Sequence, residues 1–269
     1  MIRTLHAEDF DEIHRAFVEA FSDYVVPMKP AQDALREMFT RRGWVPELSS
    51  GIFEDDRLVG FTLNGLDGTS GYDTGSGVIP SHRRRGLARQ TMEHSFELLR
   101  NAGATRYVLE VLEPNVAAAA LYRDVGFVET RRLDCWTLEV PATSLASAAP
   151  HPSPLPGGER GLAAWWDVQP SWQNSTASIL RARDRYVVLG DDDGYAIVFP
   201  STGDLAQFAV RREARRQGVG TRLLQSAAAI AGKPLRILNI DTRDEGIAAF
   251  LSALGAQRFV GQIEMERFL

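Results

Sequence analysis

The chain has 269 residues, more than one ordinary domain of roughly 100–200 residues requires, so two domains are expected, each able to bury its own core. Hydrophobic residues at 44% and charged residues at 24% are ordinary globular usage and exclude a disordered or fibrous chain. Thirty Lys and Arg against 35 Asp and Glu leave a net charge of −5, which gives the whole molecule no electrostatic reason to seek nucleic acid or an anionic membrane. Any anion site has to be local. The single cysteine, Cys135, excludes an internal disulfide and a cysteine-based metal cluster and fits a reducing compartment. The N-terminal stretch carries acidic residues and no apolar core, and no run of about 18 apolar residues occurs, so a cytoplasmic protein is expected.

Two helical stretches, near residues 8–21 and 31–42, open the chain. GIFEDDRLVGFTLNGL then reads as two strands joined by a turn at Glu54 to Arg57, with apolar residues on either side of an acidic turn-forming group. SGYDTGSGVIP predicts a strand ending at Pro80. In the segment after it Ala88, Met92, Phe96 and Leu99 fall at helical spacing, with Gly103 as the stop. RYVLEVLE predicts a strand, NVAAAALYRDVG a helix, and FVETRRLDCWTLEV a closing strand or hairpin.

Residues 142–161 crowd Pro, Ser, Ala and Gly without apolar periodicity and read as a linker between domains at 1–141 and 162–269. After it the same order of elements returns: strands YVVLGDD, YAIVFP and DLAQFAV, a basic turn, helix GVGTRLLQSAAAIAG, strand LRILNID, helix EGIAAFLSALG, and a strand to the end. Arg83-x-x-Gly86 matches Arg215-x-x-Gly218 at an offset of 132 residues, and Gly126 matches Gly255 at 129, which makes the chain an internal repeat. The second half has little room for N-terminal helices, so its front is abbreviated or rebuilt from WWDVQPSWQN. Trp165, Trp166 and Trp172 there are expected as core or interface aromatics.

The chemistry-bearing segments are Arg83-Arg84-Arg85-Gly86-Leu87-Ala88 and Arg215-Arg216-Gln217-Gly218-Val219-Gly220, each between a strand and a helix. A helix start offers unpaired N–H groups and the positive end of the dipole to phosphate oxygens. Gly86 and Gly218 let a pyrophosphate approach the backbone, Ala88 and Gly220 keep the first turn thin, and the arginines add charge. Nucleotide hydrolysis is disfavoured, since neither a G-x-x-x-x-G-K-[ST] loop nor a G-x-G-x-x-G unit is present.

These segments resemble the acyl-CoA pyrophosphate loop of the GCN5-related N-acetyltransferases: Arg or Gln, two residues, Gly, any residue, then Gly or Ala. The resemblance continues through Asn115-x-x-Ala118-x-x-Leu121-Tyr122 and Gly126-Phe127, and covers most of both halves. It implies a mixed α/β fold of two tandem domains, each a mostly antiparallel sheet flanked by helices. It also implies acetyl-CoA as cosubstrate and acetyl transfer to an amine by direct attack, with no metal. Asn115 is expected beside the pantetheine arm, and Tyr122 as the acid that protonates the departing thiolate. Glu110 is expected as the general base, with Asp73 as the other carboxylate in play. An amine of ordinary pKa about 10.4 needs such help to lose its proton at neutral pH. Val78 and Ile79, and Val210 in the second half, are expected to offer backbone N–H groups to the oxyanion and the pantetheine arm. Phe21, Asp23 and Tyr24 are expected to line the pocket of a small-molecule or peptide amine.

In the second half Asp244 stands for the asparagine and Leu251 for the tyrosine, so that half is expected to bind without catalysing. Two other readings compete: an acyl-CoA-binding sensor without turnover, and a transferase dependent on peptidyl or transfer RNA, which the net acidity opposes.

Overall fold

The computed structural model describes residues 1–24, 26, 28–140 and 163–269. The proposed linker at 142–161 lies outside the described residues. Two compact units emerge, and their composition differs from a cut at the linker: the first comprises Met1–Thr130 with Ile263–Leu269, the second Arg131–Gln262. The reason is strand pairing. The long strand after the first repeat belongs mostly to the second unit, and the last strand of the chain returns its final residues to the first.

The first unit contains strands β1 (Ile2–Thr4), β2 (Ser50–Glu54), β3 (Arg57–Asp67), β4 (Ser70–Val78) and β5 (Arg106–Leu112), completed by the end of β11 (Gln257–Phe268). Helices α1 (Phe10–Ala20) and α2 (Gln32–Arg42) cover one face, α3 (Leu87–Asn101) and α4 (Val116–Asp124) the other. Helix α1 buries Phe10, Ile13, Ala16, Phe17 and Ala20, a stripe at spacings of three and four. Strand β3 is buried from Leu58 to Gly65 without alternation because both its faces are covered. The β2–β3 turn falls at Glu54 to Arg57 as expected, with Asp55 and Asp56 in the left-handed region at φ 48° and 59° that two-residue hairpins use.

The second unit contains β6 (Val128–Leu138), β7 (Val187–Gly190), β8 (Gly194–Phe199), β9 (Asp204–Val210) and β10 (Leu235–Asp241), with the start of β11. Its helices are α5 (Thr176–Arg181), α6 (Val219–Ala231) and α7 (Glu245–Ala253). The segment foreseen as a strand or hairpin is thus the single strand β6, which pairs antiparallel with β10. No helix among the described residues is long and apolar enough to cross a membrane.

In both units the sheet parts at the same place. Strand β4 pairs parallel with β5 only over Ser70–Tyr72, and β9 with β10 only at Asp204. Each strand bulges just beyond: Thr74 is the extra residue opposite β3, and Ala206 the extra residue opposite β8. Arg42 donates to the Thr74 carbonyl at 2.8 Å, and the Thr74 hydroxyl donates to Leu63 at 3.0 Å, holding that bulge. A bulge bends its strand and breaks the ladder, and here it steers β4 and β9 away from their parallel neighbours.

Gly65 of β3 tests the packing of the first unit. A β-carbon there would lie 2.8 Å from the carbonyl oxygens of Arg42 and Gly43, both backbone atoms that cannot rotate aside. Gly65→Ala is expected to cost about 1–3 kcal/mol, seen as a lowered unfolding midpoint in urea.

Candidate functional site

The parted strands leave backbone donors without a neighbour strand. The Ile79 N–H donates to the Val59 carbonyl at 3.0 Å while Val78 sits opposite Gly60. That pattern makes Gly60 and Val78 a non-hydrogen-bonded pair, so the Val78 N–H points away from β3, toward the gap. By the same alternation the Ser76 N–H does too. The second unit repeats this: Arg211 donates to Asp193 at 2.9 Å and Val210 sits opposite Gly194.

The following loops turn left-handed at the same two positions. Arg84 and Gly86 lie in the left-handed region at φ 62° and 76°, Arg216 and Gly218 at 62° and 80°. Each of these glycines is followed directly by the first residue of a right-handed helix, a left–right pair of the kind whose successive N–H groups form an anion-binding nest. Helices α3 and α6 begin at those glycines with no side-chain cap and no acidic residue in the first turn, whereas α1, α2 and α7 carry acids there. Their positive ends are left open to an anion.

In the first unit a cleft of about 610 Å³ runs from this loop to the gap. It gathers Phe21, Asp23 and Tyr24 after α1; Ser76 and Val78 on β4; Arg83, Arg84, Gly86, Leu87 and Ala88 on the loop; and Asn115 and Tyr122 on α4. Three expected residues lie elsewhere. Ile79 is core, 2% exposed. Arg85 pairs with Glu54 at 2.7 Å. Glu110 accepts the Tyr72 hydroxyl at 2.9 Å and, by strand alternation, shares a face with Val108 rather than with Tyr107, Leu109 and Val111, which pack with Tyr122.

Arg83 departs from the expected role as phosphate-directed charge. Its guanidinium is committed to Asp23 at 2.6 and 2.8 Å, to the Ala20 carbonyl at 2.8 Å and, through Nε, to the Val78 carbonyl at 3.2 Å. Arg215 likewise donates Nε to the Val210 carbonyl at 3.0 Å and pairs with Asp167 at 2.7 Å. Arg84 and Arg216, with no such partner among the described residues, face the two clefts.

The polar centre is Asp73, which sequence reading ranked behind Glu110. Its carboxylate accepts the Ser76 hydroxyl at 2.7 Å and the Gly75 N–H at 2.8 Å. Ser76, unremarked in the sequence, also lies 3.2 Å from the Thr62 hydroxyl and lines the cleft together with Tyr122. Burial raises the Asp73 carboxyl to about 6, the bonds from Ser76 and Gly75 and the charge of Arg42 opposing the rise. Tyr122 is 8% exposed; burial, with the Asp73 charge beside it, pushes its phenol well above the ordinary range, so it stays protonated at neutral pH. Burial raises the Tyr24 phenol above its ordinary range, and the Asn115 side-chain oxygen caps α4 by accepting the Ala118 N–H at 3.3 Å.

The second cleft, about 690 Å³, keeps Val210, Arg215, Arg216, Gly218 and Gly220, while Gln217 and Val219 fall outside it. At the offset of the repeat, Leu205, Phe208 and Leu251 stand where Asp73, Ser76 and Tyr122 stand in the first. Phe208 and Phe250 stack at 5.7 Å, and a β-carbon on Gly220 would come 3.1 Å from Phe250. Trp165 and Trp166 pack against the core, Trp166 donating to the Tyr195 hydroxyl at 2.7 Å, and also line the cleft. Among the described residues no group of three or more His, Cys, Asp or Glu side chains is placed to hold a metal ion.

Comparison with known proteins agrees with this architecture. The family model described as acetyltransferase (GNAT) family matches residues 10–127 and 159–255, and the chain belongs to that family. Over 93 residues it is 31% identical to an N-alpha-acetyltransferase 30 of Schizosaccharomyces pombe, and over 84 residues 36% identical to a [ribosomal protein bS18]-alanine N-acetyltransferase of Salmonella typhimurium. These matches cover 33% and 30% of the chain and span 62% and 55% of the two relatives. A GCN5-related N-acetyltransferase structure from Sphaerobacter thermophilus shares the fold at a TM-score of 0.74, with 13% identity and coverage of 100% of this chain and 95% of that one. A tandem GNAT protein from the clavulanic acid biosynthesis pathway does so at 0.69, with 17% identity and coverage of 100% and 98%.

The Asp73 carboxyl makes a pH prediction. Its folded pKa lies above the ordinary 3.8, so protonation favours the folded state, and stability falls as pH rises from about 4 to about 6, then levels. A displacement of that size is worth about 3 kcal/mol. Relative to wild type, Asp73→Asn is expected to gain stability across that window and hold the gain above pH 6, as read by thermal melts at pH 4, 5, 6 and 8.

Proposed function

We propose that the first unit transfers an acetyl group from acetyl-CoA to a primary amine by direct attack, and that the second unit binds acyl-CoA without turnover. The observation that supports this best is the Asp73–Ser76–Tyr122 array at the end of an open phosphate loop, set against its apolar replacement in the second cleft. Acetyl-CoA supplies an activated acyl group on a thiol leaving group. The backbone N–H groups of the nest, the start of α3 and the Arg84 side chain hold its phosphates. The Val78 N–H serves the pantetheine arm and the oxyanion, and Asn115 lies alongside.

Tyr122 keeps its proton until sulfur departs and donates it then. Asp73 accepts the proton of the attacking amine through the Ser76 hydroxyl. In this reading Asp73 is preferred to Glu110 because Ser76 lines the cleft whereas Glu110 serves Tyr72. Phe21 and Tyr24 line the acceptor side. The relatives' names direct the first assay to peptide N-terminal amines. We place the reaction in the cytoplasm, without nucleic-acid or membrane partners, in keeping with the net charge of −5.

The first test is calorimetric titration of acetyl-CoA into wild type, Gly86→Glu and Gly218→Glu. Each substitution fills one nest with bulk and negative charge. Loss of one binding event in each variant is expected, and no heat with wild type overturns the acyl-CoA reading. The second is turnover on an alanine-headed peptide. Tyr122→Phe is expected to lower kcat by about 10²-fold or more with acetyl-CoA affinity unchanged; equal turnover by the variant favours a sensor. The kcat/KM of wild type is expected to fall below pH 6, and Asp73→Asn, but not Glu110→Gln, is expected to abolish that limb.

A further inference from the structure

We propose that Arg83 is a positioning residue, latched to Asp23, that couples coenzyme binding at the phosphate loop to the turn at residues 20–24 on the acceptor side of the cleft. The proposal rests on the reading of this cleft as the coenzyme site. A guanidinium has five N–H donors in a planar fork, and four of those on Arg83 are used: two to the Asp23 carboxylate, one to Ala20 and one to Val78. Three segments meet at this one side chain, namely the end of α1, the strand end bearing the Val78 N–H, and the loop that begins the nest.

The other end of the turn borders the same cleft. Tyr24 lines it together with Asn115, the residue that caps α4. The turn therefore stands at the cleft in which the coenzyme arm must lie. Ordering the loop on a ligand restrains Arg83, and Arg83 restrains Asp23 and its neighbours Phe21 and Tyr24.

The second unit carries the same device on a different sequence. Arg215 grips the Val210 carbonyl and Asp167, and Arg212 adds a bond to Asp167 at 2.8 Å. Asp167 lies in the Trp165–Pro170 segment that lines that cleft. The latch is present there although the acid and its serine are replaced, which ties it to ligand binding rather than to chemistry. A lysine cannot make the fork: Arg83 holds both Asp23 oxygens and the Val78 carbonyl at once, and Arg215 holds one Asp167 oxygen and the Val210 carbonyl, with Arg212 on the other Asp167 oxygen.

Hydrogen exchange with and without coenzyme A distinguishes the roles. In wild type, coenzyme A is expected to protect amides at 84–90 and also those at 20–24. In Arg83→Gln, Arg83→Lys and Asp23→Asn the first protection is expected to persist and the second to vanish. The double variant Asp23→Asn/Arg83→Gln is expected to bind coenzyme A no more weakly than either single one, and the reversed pair Asp23→Arg/Arg83→Asp to regain part of the coupling. If Arg83→Gln loses affinity and salt dependence while Asp23→Asn loses neither, Arg83 is a phosphate ligand and the latch is overturned. Undiminished protection at 20–24 in the single variants also overturns it. Should wild type show no protection by coenzyme A, the coenzyme reading fails; the latch is then judged on unliganded protein, where faster exchange at 20–24 in both variants supports it and unchanged exchange removes it.

Discussion

The parting of a parallel strand pair after three residues organises everything else in the first unit. Two hydrogen-bonded strands present no unpaired groups between them. Once the bulge at Thr74 turns β4 from β5, the Ser76 and Val78 N–H groups face a gap, and a buried gap with unpaired donors requires something polar to fill it. The Asp73–Ser76 pair, the Tyr122 phenol and the open start of α3 all converge on that opening. The bulge also explains how Asp73 and Ser76, three residues apart, come to share a face and bond to each other: the extra residue Thr74 puts them opposite Asn64 and Thr62.

The two units show what is separable in such a site. Both retain the parted strands, the left-handed arginine and glycine of the loop, the uncapped helix and the arginine clamp on the strand end. Only the first has the carboxylate, hydroxyl and phenol of Asp73, Ser76 and Tyr122. In the second those positions are apolar and two phenylalanines stack across the cleft. The shared loop geometry rests on backbone conformation and on an arginine held by an aspartate, so it persists where the other cleft side chains are replaced.

Much of the fold was legible because it is written in local pattern. The stripe on α1, the run of apolar residues in β3 and the acidic turn between β2 and β3 each follow from residue spacing and turn chemistry. The cleft residues of the loop and Asn115 and Tyr122 were legible because they sit at fixed offsets inside a repeat. Ser76 carried no such signal, being one small polar residue in a glycine-rich strand. The likeness of Ala20-Phe21-Ser22-Asp23 to Ala164-Trp165-Trp166-Asp167 was a signal that could have matched Asp23 with Asp167 and so exposed the arginine clamp.

The sequence by itself determined the elements, their repeated order and the loop at which an anion can sit, since these depend on interactions between residues near one another in the chain. Tertiary structure alone decided that β6 counts mainly with the second unit and the end of β11 with the first, because strand partners are chosen by distant edges. It alone decided that Arg83 faces Asp23, sixty residues away, and that burial lifts Asp73 to about 6. Desolvation and long-range pairing belong to a folded surrounding, and no stretch of local sequence contains them.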